Sequence, residues 1–392
     1  PADGDHLEEL GGDGAVSWEK KTLDQLGSIS RGKSKHRPRN DPKLFGGQYP
    51  FIQTADVKNA NFYITEYSDT YNETGLAQSK LWDVGTLCIT IAANIADTGI
   101  LGIPACFPDS VMGFIPYDGV SDVRFVKYCF DMLQRDCKQI SQGTAQDNLS
   151  WQKLSTIEFP APPFEIQHRI ADILSAYDDL IENNRKQIKL LEEAAQRLYK
   201  EWFVDLRFPG HEHAKIVDGV PEGWFATNIN AVMTFHRGYD LTKNNMVPGK
   251  YPVVGSTSII GYHNQYKISG PGIVTGRSGS LGEYQLIWGN FWPHNTSLYV
   301  SDMKGHHVLY LYGMLQTVDF SSLNNGGAIP TLNRNTLSNI AVLEAPKALQ
   351  QEYVHIAEPY YQAMWREQQQ ILNLQEARDR LLPKLMSGEV EV

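Results

Sequence analysis

Residues 162–212 read "PPFEIQHRIADILSAYDDLIENNRKQIKLLEEAAQRLYKEWFVDLRFPGHE", with a seam at Ile166, Ile170, Ile173, Tyr177, Leu180, Asn184, Ile188, Leu191, Ala195, Leu198 and Trp202. Steps of four and three along a charged stretch are the mark of a coiled-coil helix. Asn184 interrupts the apolar seam, as a polar residue that fixes register does. A second seam runs through Leu349, Tyr353, Ile356, Tyr360, Ile371, Leu374, Ala377 and Leu381. Pro359 is expected to kink this helix or break its first turns, and Pro383 and Gly388 of "LLPKLMSG" to end it. A helix of ~40 residues is ~60 Å long. Neither helix can hide its stripe alone, so the two are expected to pack antiparallel against each other.

Working outward from the seams, the chain says most things twice. A shift of 206 lays "WEKKTLDQLGSISRG" at Trp18 on "WFATNINAVMTFHRG" at Trp224. "YPFIQTADV" at Tyr49 answers "YPVVGSTSI" at Tyr251, and "GTLCIT" at Gly85 answers "GPGIVT" at Gly270. A shift of 183 brings "QGTAQDNLSWQKLSTI" onto "NGGAIPTLNRNTLSNI", and likewise Gln167 onto Gln350, Glu193 onto Glu376 and Arg197 onto Arg380. Order is kept throughout, so the falling shift means shorter loops in the second copy. Each half therefore holds a globule followed by a helix. Short β-like runs with Gly-rich turns ("GTLCITI", "PGIVTG", "HHVLYLYGML") make each globule α+β. The expected order is a tail over residues 1–17, a first globule over 18–163 and a central spacer helix over 164–207. A second globule over 208–346 and a C-terminal spacer helix over 347–392 complete it, with the helices holding the globules apart about a pseudo-twofold axis.

The duplication also disposes of a tempting motif. "GSISRGKS" (residues 27–34) fits the phosphate-loop pattern G-x-x-x-x-G-K-[ST], which works only between a buried strand and a helix. The following "KHRPRNDP" places Pro38 and Pro42 where that helix would start. In the second copy Gly27, Lys33 and Ser34 fall on Met233, Tyr239 and Asp240, so only Arg-Gly is shared.

At 392 residues the chain can build two or three real cores, and no run approaches the ~20 apolar residues that cross a bilayer. The acidic, Gly-rich first residues read as a loose tail rather than a signal peptide. Cys88, Cys106, Cys129 and Cys137 lack C-x-x-C spacing, which points to reduced core thiols in a cytoplasm rather than to a metal site or disulfides. Net charge is −10, spread as −6 over residues 1–163, −2 over 164–207, zero over 208–346 and −2 over 347–392. Any basic surface must then be local, and one cluster stands out: Arg31, Lys33, Lys35, Arg37 and Arg39 in "RGKSKHRPR".

Two similar heads on a stiff spacer suit a polymer with regular repeats. On double-stranded DNA, such a form reads two half-sites about a helical turn (~34 Å) or a little more apart. Arg277 with Thr275 and Ser278 in "TGRSGSLG" sits on a Gly-rich loop able to approach a groove edge, where arginine paired with guanine is the commonest specific contact. His294 and Asn295, Asn324, Asn333 and Arg334, and Arg237 with Lys243 add polar and basic groups to the second head. Thr90 with Asn94, and Thr144, Gln146 and Asn148, are the counterparts in the first. Read from residues alone, a two-headed adaptor that grips proteins remains the alternative.

At this point the chain resembles the specificity (S) subunits of type I restriction-modification systems. The resemblance covers residues 18–392 and rests on two long blocks. Residues 162–212 are similar to the family's central conserved region, and "RDRLLPKLMSGEV" (378–390) to its C-terminal one. It implies that each globule is a target recognition domain reading one part of a split, asymmetric DNA sequence. The helices would fix the unread spacer and dock two methyltransferase subunits, with restriction subunits joining the full complex. It also implies a subunit with no catalytic site and no cofactor. The sequence agrees, having no N-P-P-[YF] motif, no G-x-G-x-x-G after a strand and no nuclease-like carboxylate cluster beside a lysine. The acidic tail before Trp18 departs from the family pattern.

Overall fold

The computed structural model describes residues 18–91, 97–140, 154–217, 219–276, 282–318 and 339–392, with 136–140 described by backbone alone. The chain divides into two compact units. One runs up to Asn184 and is completed by Gln370–Val392; the other is Arg185–Gln369. The division falls inside both long helices rather than at their ends, so each unit owns part of each helix.

The duplication read in the sequence is a duplication of topology. In the first unit a sheet runs in the order Gly27–Arg31, Val111–Pro116, Leu87–Thr90, Thr98–Leu101, with Tyr63–Ile64 added at the edge. In the second the order is Thr234–Arg237, Ser297–Asp302, Gly272–Gly276, Tyr284–Ile287. Registers agree as well: Arg31 lies opposite Met112, and Arg237 opposite Leu298. A smaller sheet in each unit holds one parallel pair, Phe51 with Cys106 and Val253 with Trp292. Strands near the two ends of each copy close it, Glu19–Lys21 against Phe159–Ala161 and Phe225–Asn228 against Ala341–Glu344.

The central strands Leu87–Thr90 and Gly272–Gly276 are buried at every position, which is why they read as apolar runs rather than alternating ones. Cys88, Cys106 and Cys129 are free, buried thiols, and burial pushes Cys106 above its usual range.

The first long helix spans Phe164–Tyr199 and the second Lys347–Met386. Both start after proline, whose missing N–H costs nothing in a first turn. Gln167 N–H donates to Pro163 O, and Gln350 N–H to Pro346 O, each at 3.1 Å. The two glutamine side chains then repeat one lock. Gln167 Nε2 donates to Pro162 O at 2.9 Å and to Val120 O at 3.0 Å, while its Oε1 accepts the Asp122 N–H at 3.2 Å. Gln350 Nε2 donates to Ala345 O at 2.7 Å, and its Oε1 accepts from His306 Nδ1 at 2.9 Å.

Within the first unit the helices run antiparallel. Asn184 Nδ2 donates to Gln370 Oε1 at 3.1 Å, Arg378 meets Asp178, and Arg169 Nη1 donates to Val392 O at 3.0 Å. Leu382, Leu385 and Met386 sit in one core with Ile170, Ala171, Leu174 and Phe125 of the preceding globule. In the second unit Ile188, Leu191, Ala195 and Leu198 pack with Tyr353, Ala357, Tyr361 and Met364. The first helix ends in a widened turn, Lys200–Val204, closed by Asp205 N–H donating to Lys200 O at 2.8 Å. That extra residue per turn turns both Trp202 and Phe203 into the aromatic core around Tyr199, Tyr310 and Tyr353.

The expected seams need correction over part of their length. From Asn184 through Ile188, Leu191 and Leu198, and at Ile371, Leu374 and Leu381, the expected positions are buried or partly buried. Earlier in each helix the inward face lies one residue on. Leu174 and Ile181 are buried while Ile173 and Leu180 are exposed; Ala357 and Tyr361 are buried while Ile356 is exposed. Ile166 and Tyr177 are half-buried. The expected break at Pro359 is absent, because that ring lies on the exposed side, where the carbonyl it cannot bond is free to meet water. Pro383 also lies inside the helix, and the stop comes at Gly388, whose φ of +74° is left-handed.

Candidate nucleic-acid interface

In each unit the Arg-Gly pair ends a strand and is clamped to the same tight turn. Gly32 N–H donates to Val111 O at 2.9 Å and Lys33 N–H to Phe107 O at 3.0 Å. Gly238 N–H donates to Ser297 O at 3.0 Å and Tyr239 N–H to Pro293 O at 2.8 Å. A Cβ on Gly32 would strike the carbonyls of Phe107 and Pro108, and one on Gly238 that of His294. This close approach, and not a phosphate loop, is why Arg-Gly recurs. Residues 27–34 begin as a strand and are followed by irregular chain with no helix.

Arg31 and Arg237 thus occupy equivalent, exposed strand ends. Arg237 Nε donates to Asn295 O at 3.3 Å. Beyond Arg31 the basic stretch is held by its backbone: Gln78 Oε1 accepts from the N–H groups of Lys35 at 2.6 Å and His36 at 2.9 Å, and Ser79 donates to Lys33 O at 2.7 Å. Lys33 and Lys35 are exposed. Arg37 and Arg39 converge on Asp109, Arg39 Nη2 reaching both its oxygens at 2.7 and 3.0 Å. His36 Nε2 lies 2.9 Å from Asp41, whose carboxyl is held below its usual range by the Lys43 N–H and by His36.

In the second head, His294 donates from Nε2 to Leu241 O at 3.2 Å, which leaves Nδ1 to accept from the Thr296 hydroxyl at 3.0 Å. Asn295 donates its amide to Asp240. Lys243 is exposed on the short turn Lys243–Asn245.

Two expected readers prove to have another job. Thr90 is 1% exposed and its hydroxyl accepts the Asp97 N–H at 2.9 Å; Thr275 is 0% exposed and donates to Glu283 O at 2.8 Å. They are equivalent residues, and each closes the base of the connection that carries Asn94 in the first head and Arg277 in the second. Neither can face a ligand. Asn94, Thr144, Gln146, Asn148, Arg277, Ser278, Asn324, Asn333 and Arg334, and the tail over residues 1–17, lie outside the described residues.

Sequence reasoning missed Asp109 and Asp240, the acids beside the cations. The signal was available: a shift of 186 that superposes Val111 on Ser297 also sets Asp109 on Asn295.

Two copies of one α+β unit, each setting an arginine beside the same turn, define a duplicated recognition protein. The family model described as "Type I restriction modification DNA specificity domain" matches residues 15–193 and 221–376, and the chain belongs to that family. The MjaIX type I restriction enzyme specificity subunit of Methanocaldococcus jannaschii is 26% identical, covering 96% of this chain and 94% of its own length. The EcoprrI specificity subunit of Escherichia coli is 20% identical over 89% of this chain and 88% of its own. The crystal structure of a type I restriction-modification S subunit from M. genitalium shares the fold, with a TM-score of 0.57, 18% identity and 97% of each chain covered. DNA sequence recognition is this family's role. Among the described residues no helix is long and apolar enough to cross a membrane.

Proposed function

We propose that the two globules, residues 18–163 and 208–346, are target recognition domains that each read one half of a split, asymmetric DNA target. The long helices set the unread spacer and dock two methyltransferase subunits, and restriction subunits join the full assembly. The chain supplies no catalytic group of its own, needs no cofactor and works in the cytoplasm. The observation that carries this reading is that one strand order and one Arg-Gly clamp recur in both units while the side chains around the clamp differ. Equivalent placement with different chemistry gives two related but unlike half-sites. The acidic balance fits a subunit whose partners supply many of the phosphate contacts. Mapping methylated bases in a host with and without this gene tests the reading. Gene-dependent methylation at a two-part sequence is expected; methylation that ignores the gene, or a single continuous motif, rejects it.

A further inference from the structure

We propose that Asp109 is a positioning residue, which holds the guanidinium groups of Arg37 and Arg39 side by side as a receptor for a DNA backbone phosphate; this rests on the DNA-reading function proposed above. Arg37 is anchored first. Its Nη1 donates to Ser34 O at 2.8 Å and to His36 O at 2.7 Å, and its Nη2 lies 3.9 Å from Asp109 Oδ2. Arg39 has no such backbone anchor; its hold is Asp109. Two guanidinium groups brought this close repel each other unless an anion lies between them. The Asp109 carboxylate is that anion, fixed at the tip of the turn whose Val111 N–H bonds Pro108 O at 3.0 Å.

The arginine side chains are 55% and 50% exposed, against 38% for Asp109, so the acid sits behind and the cations in front. The geometry also selects the ligand. Reading guanine takes two parallel N–H groups of one guanidinium, and both such pairs include Nη2. In Arg39 the Nη2 group is spent on Asp109. What remains is single N–H donors from two neighbouring groups, which suits the several oxygens of a phosphate. The second head lacks the device, since the equivalent Asn295 is an uncharged amide turned to Asp240. The phosphate receptor therefore belongs to the first half-site alone.

The sign of one substitution separates this role from that of a bystander. Removing an acid near DNA ordinarily strengthens binding, because a repulsion is lost. Here Asp109→Asn should weaken it. The chain, assembled with the modification subunits of its host, is titrated with a duplex bearing the site found by methylation mapping, from 50 to 200 mM salt. Asp109→Asn is expected to bind about fivefold more weakly at the lowest salt, the size of an exposed ion-pair network. The slope of log affinity against log salt should fall by up to about 2, for two lost phosphate contacts. Arg39→Lys, which keeps the charge and loses the fork, should behave alike, and neither should change which bases are methylated at either half-site. Equal or tighter binding by Asp109→Asn, or relaxed preference at one base, overturns the proposal. Absence of DNA binding by the unsubstituted assembly removes the underlying reading and this inference with it.

Discussion

Arg378 donates from Nη1 to the Asp178 carboxylate, and the pair stands at positions that the duplication does not repeat. A shift of 183 carries Asp178 onto Tyr361, and Ala195 onto Arg378. Burial pushes the Asp178 carboxyl above its usual range and Arg378 opposes this, while the second oxygen takes the Tyr128 O–H at 2.6 Å. The pair therefore distinguishes the first unit's helix contact from its twin, and it marks which stretch of the second helix belongs there.

Breaking such a pair leaves a buried charge uncompensated. Arg378→Met alone should destabilise the first unit by about 3–5 kcal/mol, whereas Asp178→Leu combined with Arg378→Met should return to within about 1 kcal/mol of the parent. Denaturant titration of the three variants checks this, with amide exchange locating the loss in the first unit.

The twin glutamine locks give a second expectation. Gln167→Leu would strand the Asp122 N–H and the Pro162 and Val120 carbonyls. It should cost about 2–4 kcal/mol, since stranded buried groups lose their full desolvation cost. Gln350→Leu strands fewer groups and should cost about 1–3 kcal/mol. Amide exchange should place the first loss around Val120–Asp122 and the second around Ala345 and His306.

How far the sequence carried these conclusions depends on where polar groups lie. The repeat was legible because the Arg-Gly clamp and the buried central strands tolerate little change in either copy. The seam slipped by one residue where the inward positions are Gln167, Ser175 and Asp178, buried polar residues that apolar periodicity cannot see. Leu180 looked like the seam because Asp178 did not. Thr90 and Thr275 looked like loop readers because a hydroxyl beside glycines says nothing about whether a carbonyl or N–H lies across the strand. Asp109 required aligning the turns rather than the cations.

Acid should loosen one junction in a defined direction. Burial would raise the Asp122 carboxyl, but hydrogen bonds from Arg124 and His168 outweigh it and hold the group below its ordinary 3.8. Asp122 also caps the helix Val123–Ile140 through the Arg124 N–H at 2.8 Å, and Asp172 faces the same Arg124 at 2.8 Å. A depressed carboxyl contributes stability that is complete above pH 3.8 and is lost as pH falls through its folded value. Asp122→Asn should therefore cost roughly 2 kcal/mol at neutral pH and nearly nothing near the foot of the acid transition. Unfolding free energies measured from pH 7 downward should converge for the two proteins.

Thr275→Val keeps shape and removes one donor. It should fray the hairpin Gly272–Gly276 with Tyr284–Ile287 by about 1 kcal/mol, read as faster exchange of its amides. If the connection that it closes reads DNA, methylation maps should show relaxed preference at one half-site and an unchanged other half. Equal relaxation at both halves would contradict the assignment of one head to each.

A ribosome makes this chain in an order that its architecture does not respect. Leu382, Leu385 and Met386, which fill the core beside Ile170 and Leu174, emerge after the whole of the second unit. Until then the first unit waits with an open apolar face, worth ~1.5–3 kcal/mol for each missing side chain. A message cut short anywhere in the second unit thus yields a product that no quality-control system would mistake for a finished one. Only a chain synthesised through its last turns can close its first fold.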